Sequence, residues 1–244
     1  MLARLKAAGL VWPTIMTLLA LPVLVQLGAW QWHRMQWKAD LIDKIHVRAN
    51  GPAIDYAQAN TQFSHDGEAE YQKVSVTGTF NHAQERYLYA PNREAQGWNV
   101  YTLFQPTGGA PPVFVNRGWV PDRLKDPATR PQGQIAGDVE VVGLLRGPET
   151  PGMFELPSDP QRNLFYWRDL NGMRWAPNAP PTPDQLATLR LAAYAPFSID
   201  ALAEPANPGG WPRGGATEVN LPNRHLEYVV TWWGLAATLL LVYA

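Results

Sequence analysis

Two long uncharged segments, one near each end of the chain, dominate the hydrophobic pattern. The first runs from Leu10 to Trp30, and its 21 positions at about 1.5 Å each reach about 31 Å, which matches the hydrocarbon core of a bilayer. Pro13 and Pro22 lie within it, and prolines are tolerated in lipid-embedded helices. The pattern predicts a first transmembrane helix over residues 10–33.

A cleaved signal peptide is the alternative interpretation of this segment, because Arg4 and Lys6 precede the apolar run. Signal-peptide cores are shorter, about 7 to 15 residues, and the stretch from Gln26 to Trp30 contains no small-x-small cleavage site. We therefore expect an uncleaved membrane anchor.

The second segment runs from Tyr228 to Ala244 and contains 17 uncharged residues, near the lower limit for spanning a bilayer. Trp232 and Trp233 lie toward its start, where interfacial aromatic residues are common. We expect a second transmembrane helix over residues 225–244. Because no basic tail follows Ala244, the natural chain could extend beyond it.

Two spans place both termini on the same side of the membrane. Arg4 and Lys6 favour a cytoplasmic N-terminus, although basic residues after the first span oppose this orientation. A long loop can be translocated whatever its charge. We expect residues 1–9 to form a cytoplasmic N-terminus and residues 34–224 an extracytoplasmic domain.

Between the spans, apolar and polar residues alternate with a period of two, which is typical of half-buried strands. A Gly-Gly-Ala-Pro sequence at residues 108–111 lies between two of these stretches and predicts a hairpin connection. The strand candidates are Tyr71–Phe80, Trp98–Phe104, Val113–Val120 and Val139–Leu145. The pattern predicts an α+β membrane protein, in which a hairpin of two transmembrane helices encloses an antiparallel β-rich barrel or sandwich.

One or two helices are expected inside this domain. Thr182-Pro183-Asp184-Gln185 supplies an N-cap, a proline at the first helical position and a glutamine three residues after the cap. Leu186 and Leu189 then follow on one face. This pattern predicts a helix that begins near residue 182.

Composition excludes several classes of function. The net charge is -1 and the 20 Lys and Arg residues are scattered, so nucleic acid is not an expected partner. The absence of cysteine excludes thiol nucleophiles, disulfides and Fe–S clusters. None of the five histidines forms an HxH or HExxH pair, so a self-contained multi-histidine metal site is not expected.

His225 is the leading functional candidate, because it lies where the second span meets water. On an ideal helix it shares one face with Tyr228, Val229, Trp232 and Ala236. An imidazole with aromatic neighbours can bind a flat, metal-bearing macrocycle. The alternative is an interfacial histidine hydrogen-bonded to the domain, with the tryptophans forming only a membrane belt.

The end of the first span has a similar arrangement, because Trp30, His33, Arg34 and Trp37 share a face. Gly28 would let a neighbouring helix or ligand approach closely. If the spans pair, this face and that of His225 would meet, and Arg34 could bind ligand carboxylates. The alternative is a Trp and Arg anchor for phospholipid head groups.

Two motifs of the loop favour structural roles. In the Asn-Arg-Gly-Trp-Val-Pro sequence at residues 116–121, we expect Trp119 to pack in the core and Arg117 to hydrogen-bond a loop. The glycine-rich stretch at residues 208–215 predicts a rigid entry into the second span, since its glycines permit otherwise unfavourable backbone geometries. It does not match a phosphate-binding loop.

The order of these motifs between two spans resembles the surfeit locus protein 1 family of cytochrome c oxidase assembly factors. The resemblance covers nearly the whole chain. It rests on Gly28, Trp30, Gln31, Arg34, Trp37, Lys38, residues 116–121, 143–146, 208–212, 214–215 and 221–223, His225, Leu226, Tyr228, Thr231, Trp232 and residues 234–236.

The resemblance implies a non-catalytic protein that helps to insert heme a into the large subunit of an aa3-type cytochrome c oxidase. It implies that heme a comes from the heme a synthase, and that the main domain faces the periplasm from the bacterial inner membrane, or the intermembrane space in mitochondria. His225 takes the place of the family's candidate axial ligand. Arg224 departs from the family motif, which has asparagine there. An arginine could serve a heme propionate, or it could mean a changed partner contact.

We therefore expect heme a to bind transiently at His225, Tyr228, Trp232, Arg34, Trp30 and Arg224, with His225 as the iron ligand. Two other functions remain open. One is a membrane-anchored scaffold that holds an oxidase subunit without binding heme. The other is an enzyme that modifies heme or lipid, but the sequence shows no acid, base or redox group for it beyond His225 and His33.

Overall fold

A computed structural model describes residues 9–66, 69–93, 95–174, 194–217 and 222–243. The chain divides into two compact units, one formed by Met1–His46 with Val219–Ala244 and the other by Val47–Glu218. Where the structure describes it, the first unit consists of two long helices, and the second unit is the β-rich domain. The helix predicted to begin near residue 182 lies outside the described residues.

Helix α1 extends from Val11 to Asn50 and contains Pro22. It continues beyond the end of the predicted span at His33 because no proline or glycine interrupts the sequence until Gly51-Pro52. Residues 34–50, which were expected in the β-rich domain, are therefore helical.

Helix α4 extends from His225 to Tyr243 and follows Pro222-Asn223-Arg224. Both α1 and α4 are long and apolar enough to cross a membrane, judged by length and composition. The expected pair of apolar helices flanking a β-rich domain is therefore confirmed.

The described part of the second unit contains seven strands and two shorter α-helices. The strands are β1 (Ile54–Asp55), β2 (Lys73–Tyr89), β3 (Gly97–Pro106), β4 (Val113–Pro121), β5 (Val139–Arg146), β6 (Leu164–Phe165) and β7 (Ser198–Ala201). The helices are α2 (Tyr56–Asp66) and α3 (Leu170–Met173). The four predicted strands correspond to β2, β3, β4 and β5, and the predicted hairpin joins β3 to β4.

Five strands close into a barrel in the order β2-β3-β4-β7-β5, with β5 pairing back onto β2. Of the two predicted architectures, the barrel is thus the one observed. Closure depends on β2, which pairs with β5 through residues 73–78 and with β3 through residues 78–89. An irregularity between Asn81 and Glu85 lies within this long strand, as is usual where a strand bends.

The sequence pattern predicts an antiparallel sheet, but the observed sheet is mixed. β7 pairs parallel to β4, and β1 and β6 both pair parallel to β2. A parallel neighbour requires a crossover connection, and nothing in the local sequence pattern specifies which strand will be that neighbour.

The barrel interior contains the main apolar core, which includes Val74, Phe104, Val115, Leu145 and Ile199. The outer face of β4 is also covered, because Phe114 packs with Phe165, Leu170 and Met173 in a second cluster. β4 is therefore buried on both faces, which explains why its sequence Val-Phe-Val is apolar throughout.

Candidate functional site

Helices α1 and α4 pair through residues that recur at alternating spacings of three and four. This spacing, about 3.5 residues on average, places one continuous stripe of each helix against its partner, as in a coiled coil. The less exposed positions along it are Thr14, Thr17, Leu21, Leu24, Gly28, Gln31, Met35 and Lys38 on α1, and His225, Val229, Trp232, Ala236 and Leu239 on α4.

Polar contacts at both ends of this stripe define an antiparallel pair. The Thr14 and Tyr243 hydroxyls lie 2.5 Å apart at one end. At the other end, Lys38 Nζ donates to the Pro222 carbonyl at 2.6 Å, and Asn223 Nδ2 donates to the Met35 carbonyl at 3.0 Å. The Pro222-Asn223 turn that precedes α4 is thereby attached to α1.

His225 lies in the same stripe, about one turn from the Lys38 and Asn223 contacts, and is opposite Gln31. Its Nδ1 is 2.7 Å from Gln31 Oε1. An amide oxygen only accepts hydrogen bonds, so Nδ1 donates the proton and the neutral ring keeps its lone pair on Nε2. Nε2 has no hydrogen-bond partner among the described residues.

Gly28 provides the close helix contact that its small size predicts. The Trp233 ring lies against the Gly28 backbone, where any Cβ atom would overlap it, and Trp233 Nε1 donates to the Val25 carbonyl at 3.3 Å. Trp32 stacks on Trp233 with ring centroids 6.3 Å apart. These two tryptophans mark one flank of the helix pair.

Four of the predicted site residues lie on the opposite flank. At about 100° per residue, Trp30 and Arg34 leave α1 roughly opposite Trp32, and Tyr228 leaves α4 roughly opposite Trp233. Arg224 immediately precedes α4 and pairs with Glu227 in its first turn. Trp30 is 55% and Tyr228 54% exposed. We refer to Trp30, Arg34, Arg224 and Tyr228 as the basic aromatic flank.

The face of α1 that carries Trp30 and Arg34 was expected to meet the face of His225 if the spans pair, and the structure places a different face of α1 opposite His225. The helices do pair, but positions 28, 31 and 35 occupy the stripe, so Trp30 and Arg34 fall beside it. Trp232 lies in the stripe with His225, as predicted, whereas Tyr228 lies beside it.

Local contacts hold both arginines of the flank. The Arg34 guanidinium lies 4.0 Å from the centre of the Trp37 ring. Arg224 pairs with Glu227 one turn along α4, with Nη2 and Oε2 2.9 Å apart. Both members of this ion pair are exposed, so solvent screens it and another carboxylate can compete for Arg224.

Sequence reasoning did not assign roles to Gln31 and Asn223, although both belong to the motifs noted above. Gln31 fixes the proton of His225, and Asn223 joins the start of α4 to α1. The sequence does contain a signal for Gln31. Gly28, Gln31 and Met35 are spaced by three and four residues, and this spacing predicts the face of a helix that meets a partner helix.

In the barrel domain, Glu85 is the centre of a buried charge cluster. Arg130 binds it with both guanidinium ends, at 2.5 and 3.3 Å, and Tyr87 and Gln134 donate to it at 3.0 and 3.3 Å. Burial acts to raise the Glu85 pKa, but these hydrogen bonds and the Arg130 charge outweigh it and hold that pKa below its usual value.

Arg117 has the loop-binding role that the sequence indicates. It is 1% exposed, and its Nη2 donates to the Gly133 carbonyl and, at 3.2 Å, to Asn207 Oδ1. Trp119 is only half-buried, packs over Gly97 and donates to the Ala90 carbonyl at 2.7 Å.

The glycine-rich stretch at residues 208–215 packs on the barrel itself. Arg213 exchanges backbone hydrogen bonds with Trp119, at 2.8 and 2.9 Å. Gly118 has a φ of 122°, and a Cβ atom there would overlap the Arg213 carbonyl. This close backbone contact requires glycine at residue 118.

These features define a class of protein in which a five-stranded barrel domain lies, along the chain, between two apolar helices that pair with each other and bear one histidine in the paired stripe. The SURF1 family profile matches residues 18–237. Surfeit locus protein 1 of Xenopus tropicalis is 37% identical over 90% of this chain and 71% of its own length. The human protein of the same name is 35% identical over 90% and 73%, respectively.

A SURF1-like protein of Monosiga brevicollis is 32% identical over 96% of this chain and 86% of its own length. The chain therefore belongs to the SURF1 family. The resemblance identified from the ordered motifs is confirmed.

Proposed function

We propose that this protein is an assembly factor for an aa3-type cytochrome c oxidase and binds heme a in transit through His225. The observation that supports this most directly is the hydrogen bond between His225 Nδ1 and Gln31 Oε1. It leaves Nε2 as the metal-binding nitrogen and fixes the plane of the ring. A second partner that orients a ligating histidine is a general feature of metal sites.

The surroundings of His225 suit an amphiphilic macrocycle. Heme a combines a long apolar tail with two propionates, so its site needs lipid access beside cations. The basic aromatic flank provides exposed rings at Trp30 and Tyr228 and guanidinium groups at Arg34 and Arg224. Guanidinium groups match carboxylates in geometry and charge.

The proposed role requires no enzyme chemistry, because heme a is received and passed on without a covalent change. The donor would be the heme a synthase and the acceptor the large oxidase subunit, as the family resemblance implies. α1 and α4 would span the bacterial inner membrane, or the mitochondrial one, with the barrel domain on the outer face. Their length and apolar composition support this placement.

Heme content of the purified protein, co-expressed with a heme a synthase, tests the proposal. We expect wild type to retain heme a and His225→Ala to lose most of it, with a changed Soret band in any heme that remains. His46→Ala is the matched control, because His46 is an exposed histidine about four turns beyond Gln31 in α1 and should retain heme. Equal heme content and equal spectra in wild type and His225→Ala would exclude His225 as the ligand.

An exposed apolar turn favours a scaffold function as the second candidate. Met153 is 91% and Phe154 94% exposed on a turn closed by the Gly152 amide and the Glu155 carboxylate. Large apolar side chains presented in this way are typical of contact sites for partner proteins. A scaffold would hold the oxidase subunit without heme.

Co-purification of the large oxidase subunit separates the two candidates. If the scaffold function is correct, Met153→Ser/Phe154→Ser should lose the subunit and His225→Ala should retain it. If heme delivery maintains the complex, His225→Ala should lose the subunit while the double variant retains it.

A further inference from the structure

A cavity of about 320 Å³ opens at the side of the barrel domain, and none of its lining residues is one used above for heme. Its wall is mainly apolar and includes Val139 and Val141 of β5, Ala201 of β7, and Pro205 from the segment that follows β7. The volume lies at the lower end of the range for small-molecule sites, roughly 300 to 1,000 Å³. Phe80 and Arg117 also line it.

Arg117 is the only buried ionisable side chain among the described residues that line this cavity. Its guanidinium lies 4.8 Å from the centre of the Phe80 ring. Nη2 is used by the Gly133 and Asn207 oxygens, but Nε and Nη1 are buried without a hydrogen-bond partner among the described residues. Unpaired donors of a buried cation are costly, so this site favours an additional acceptor.

The protein's own carboxylate does not satisfy Arg117. Glu85 Oε1 lies 3.7 Å from Arg117 Nη1, which is beyond hydrogen-bond distance, because Glu85 is bound by Arg130. The buried cluster thus holds two guanidinium groups and one carboxylate. Burial also lowers the pKa of Arg117 to about 10, since the charged form is poorly solvated.

We propose that this cavity binds an aliphatic monocarboxylate, with the carboxylate at Arg117 and the chain along Val139, Val141 and Ala201. An anionic head would neutralise the excess positive charge of the cluster and accept from the unpaired donors after a small rotation of the guanidinium. The apolar wall of the cavity would contact the aliphatic chain of the ligand. The proposal is independent of heme binding at His225.

Charge at the rim and the size of the cavity narrow the ligand class. Glu140 and Glu204 at the rim are exposed, so solvent screens their repulsion far more than it screens the buried Arg117. A water molecule occupies about 30 Å³, so the cavity has room for roughly ten heavy atoms. Octanoate, which has ten heavy atoms, matches this size.

Equilibrium dialysis of radiolabelled octanoate against the full chain in lipid nanodiscs tests the proposal, with empty nanodiscs as the blank for partition into lipid. We expect saturable binding at one site per chain. 1-Octanol should compete at least tenfold more weakly because it lacks the charge, and acetate should compete weakly because it lacks the tail.

Two variants and one control locate the site. Arg117→Gln should weaken binding at least tenfold, and Ala201→Phe, which fills the cavity while keeping Arg117, should abolish it. Arg213→Gln removes an exposed arginine that lies outside this cavity and should bind as wild type does. Near-ultraviolet circular dichroism identifies folded variants.

Absence of saturable binding by wild type would overturn the proposal, as would unchanged binding in a folded Ala201→Phe chain. Equal affinity for octanoate and 1-octanol would show that the cavity does not recognise a carboxylate. None of these outcomes bears on heme content, so the two proposals fail separately.

Discussion

Gly28 is the residue of α1 on which the Trp233 ring of α4 packs, and glycine is needed there for space. In a typical helix, Gly→Ala is stabilising by roughly 0.5 to 1 kcal/mol, because alanine restricts the unfolded chain. At Gly28 the added methyl group would overlap the Trp233 ring. We expect Gly28→Ala to destabilise the helix pair by about 1 to 3 kcal/mol, the usual range for overpacking.

Denaturant titration of the chain in mixed micelles, followed by tryptophan fluorescence, measures this change. Gly234→Ala is the matched control, because Gly234 lies in α4 with open space where a Cβ atom would be added, and it should leave stability equal or slightly higher. Equal stability of Gly28→Ala and Gly234→Ala would contradict the close contact.

Gln31 is expected to control the ligand strength of His225. Gln31→Leu keeps a side chain of similar size but removes the acceptor for Nδ1. If His225 ligates heme as proposed, we expect heme affinity to fall roughly 10- to 100-fold, as is typical when the hydrogen-bond partner of a ligating histidine is lost. Heme titration followed in the Soret region measures the effect.

Gln36→Leu is the corresponding control, since Gln36 is exposed on another face of α1. Unchanged affinity and unchanged spectra in Gln31→Leu would show that the hydrogen bond has no role in ligation.

At the scale of elements, the link between β2 and the segment around Arg130 depends on Glu85. Glu85→Gln leaves Arg117 and Arg130 buried without a carboxylate, and breaking such a buried pair typically costs about 3 to 5 kcal/mol. We expect a loss of this size in the free energy of unfolding. Asp138→Asn is the control at an exposed carboxylate, and it should change the free energy of unfolding little.

The same carboxylate predicts a pH dependence. Because the folded-state pKa of Glu85 lies below its usual value, its stabilisation is present above the unfolded pKa and is lost as pH falls through the folded pKa. Unfolding measured from neutral to acidic pH should therefore lose stability less steeply in Glu85→Gln than in wild type. An identical slope in both would contradict the role of this ion pair.

The sequence predicts elements well where a pattern is local. Alternation identified β2 to β5, and uncharged length identified the apolar parts of α1 and α4. It did not distinguish a barrel from a sandwich, because closure depends on β2 pairing with β3 and also with β5, and local alternation does not specify these partners. It also missed the helical continuation through Asn50, which contains charged residues and so falls outside an apolar pattern.

The candidate site was predictable only in part for a related reason. The sequence showed the residue types of the site and the position of His225. It did not show how far α1 is rotated about its own axis relative to α4, because that rotation depends on tertiary packing. A rotation of α1 by about 60° decides whether the side of the helix that bears Gln31 or the side that bears Arg34 meets His225. The roles of Gln31 and Asn223 became clear only from that rotation.

At the scale of the whole molecule, the proposed topology places both termini in the cytoplasm and the barrel domain outside. Reporter fusions test it in a bacterial host. Alkaline phosphatase inserted at the exposed turn around Phe154 should be active, whereas the same enzyme fused after Ala244 should be inactive. A fluorescent protein that matures only in the cytoplasm should give the reverse pattern. Activity of alkaline phosphatase at both places would contradict two spans.

The position of β7 in the barrel has a consequence for chain synthesis. β7 pairs with both β4 and β5, yet it comes more than fifty residues after β5 along the chain. Until residues 198–201 emerge, two strand edges stay unpaired, and open edges invite aggregation. A premature stop before Ser198 should therefore yield an insoluble fragment, while a stop after residue 217 should leave a closed barrel without its second apolar helix.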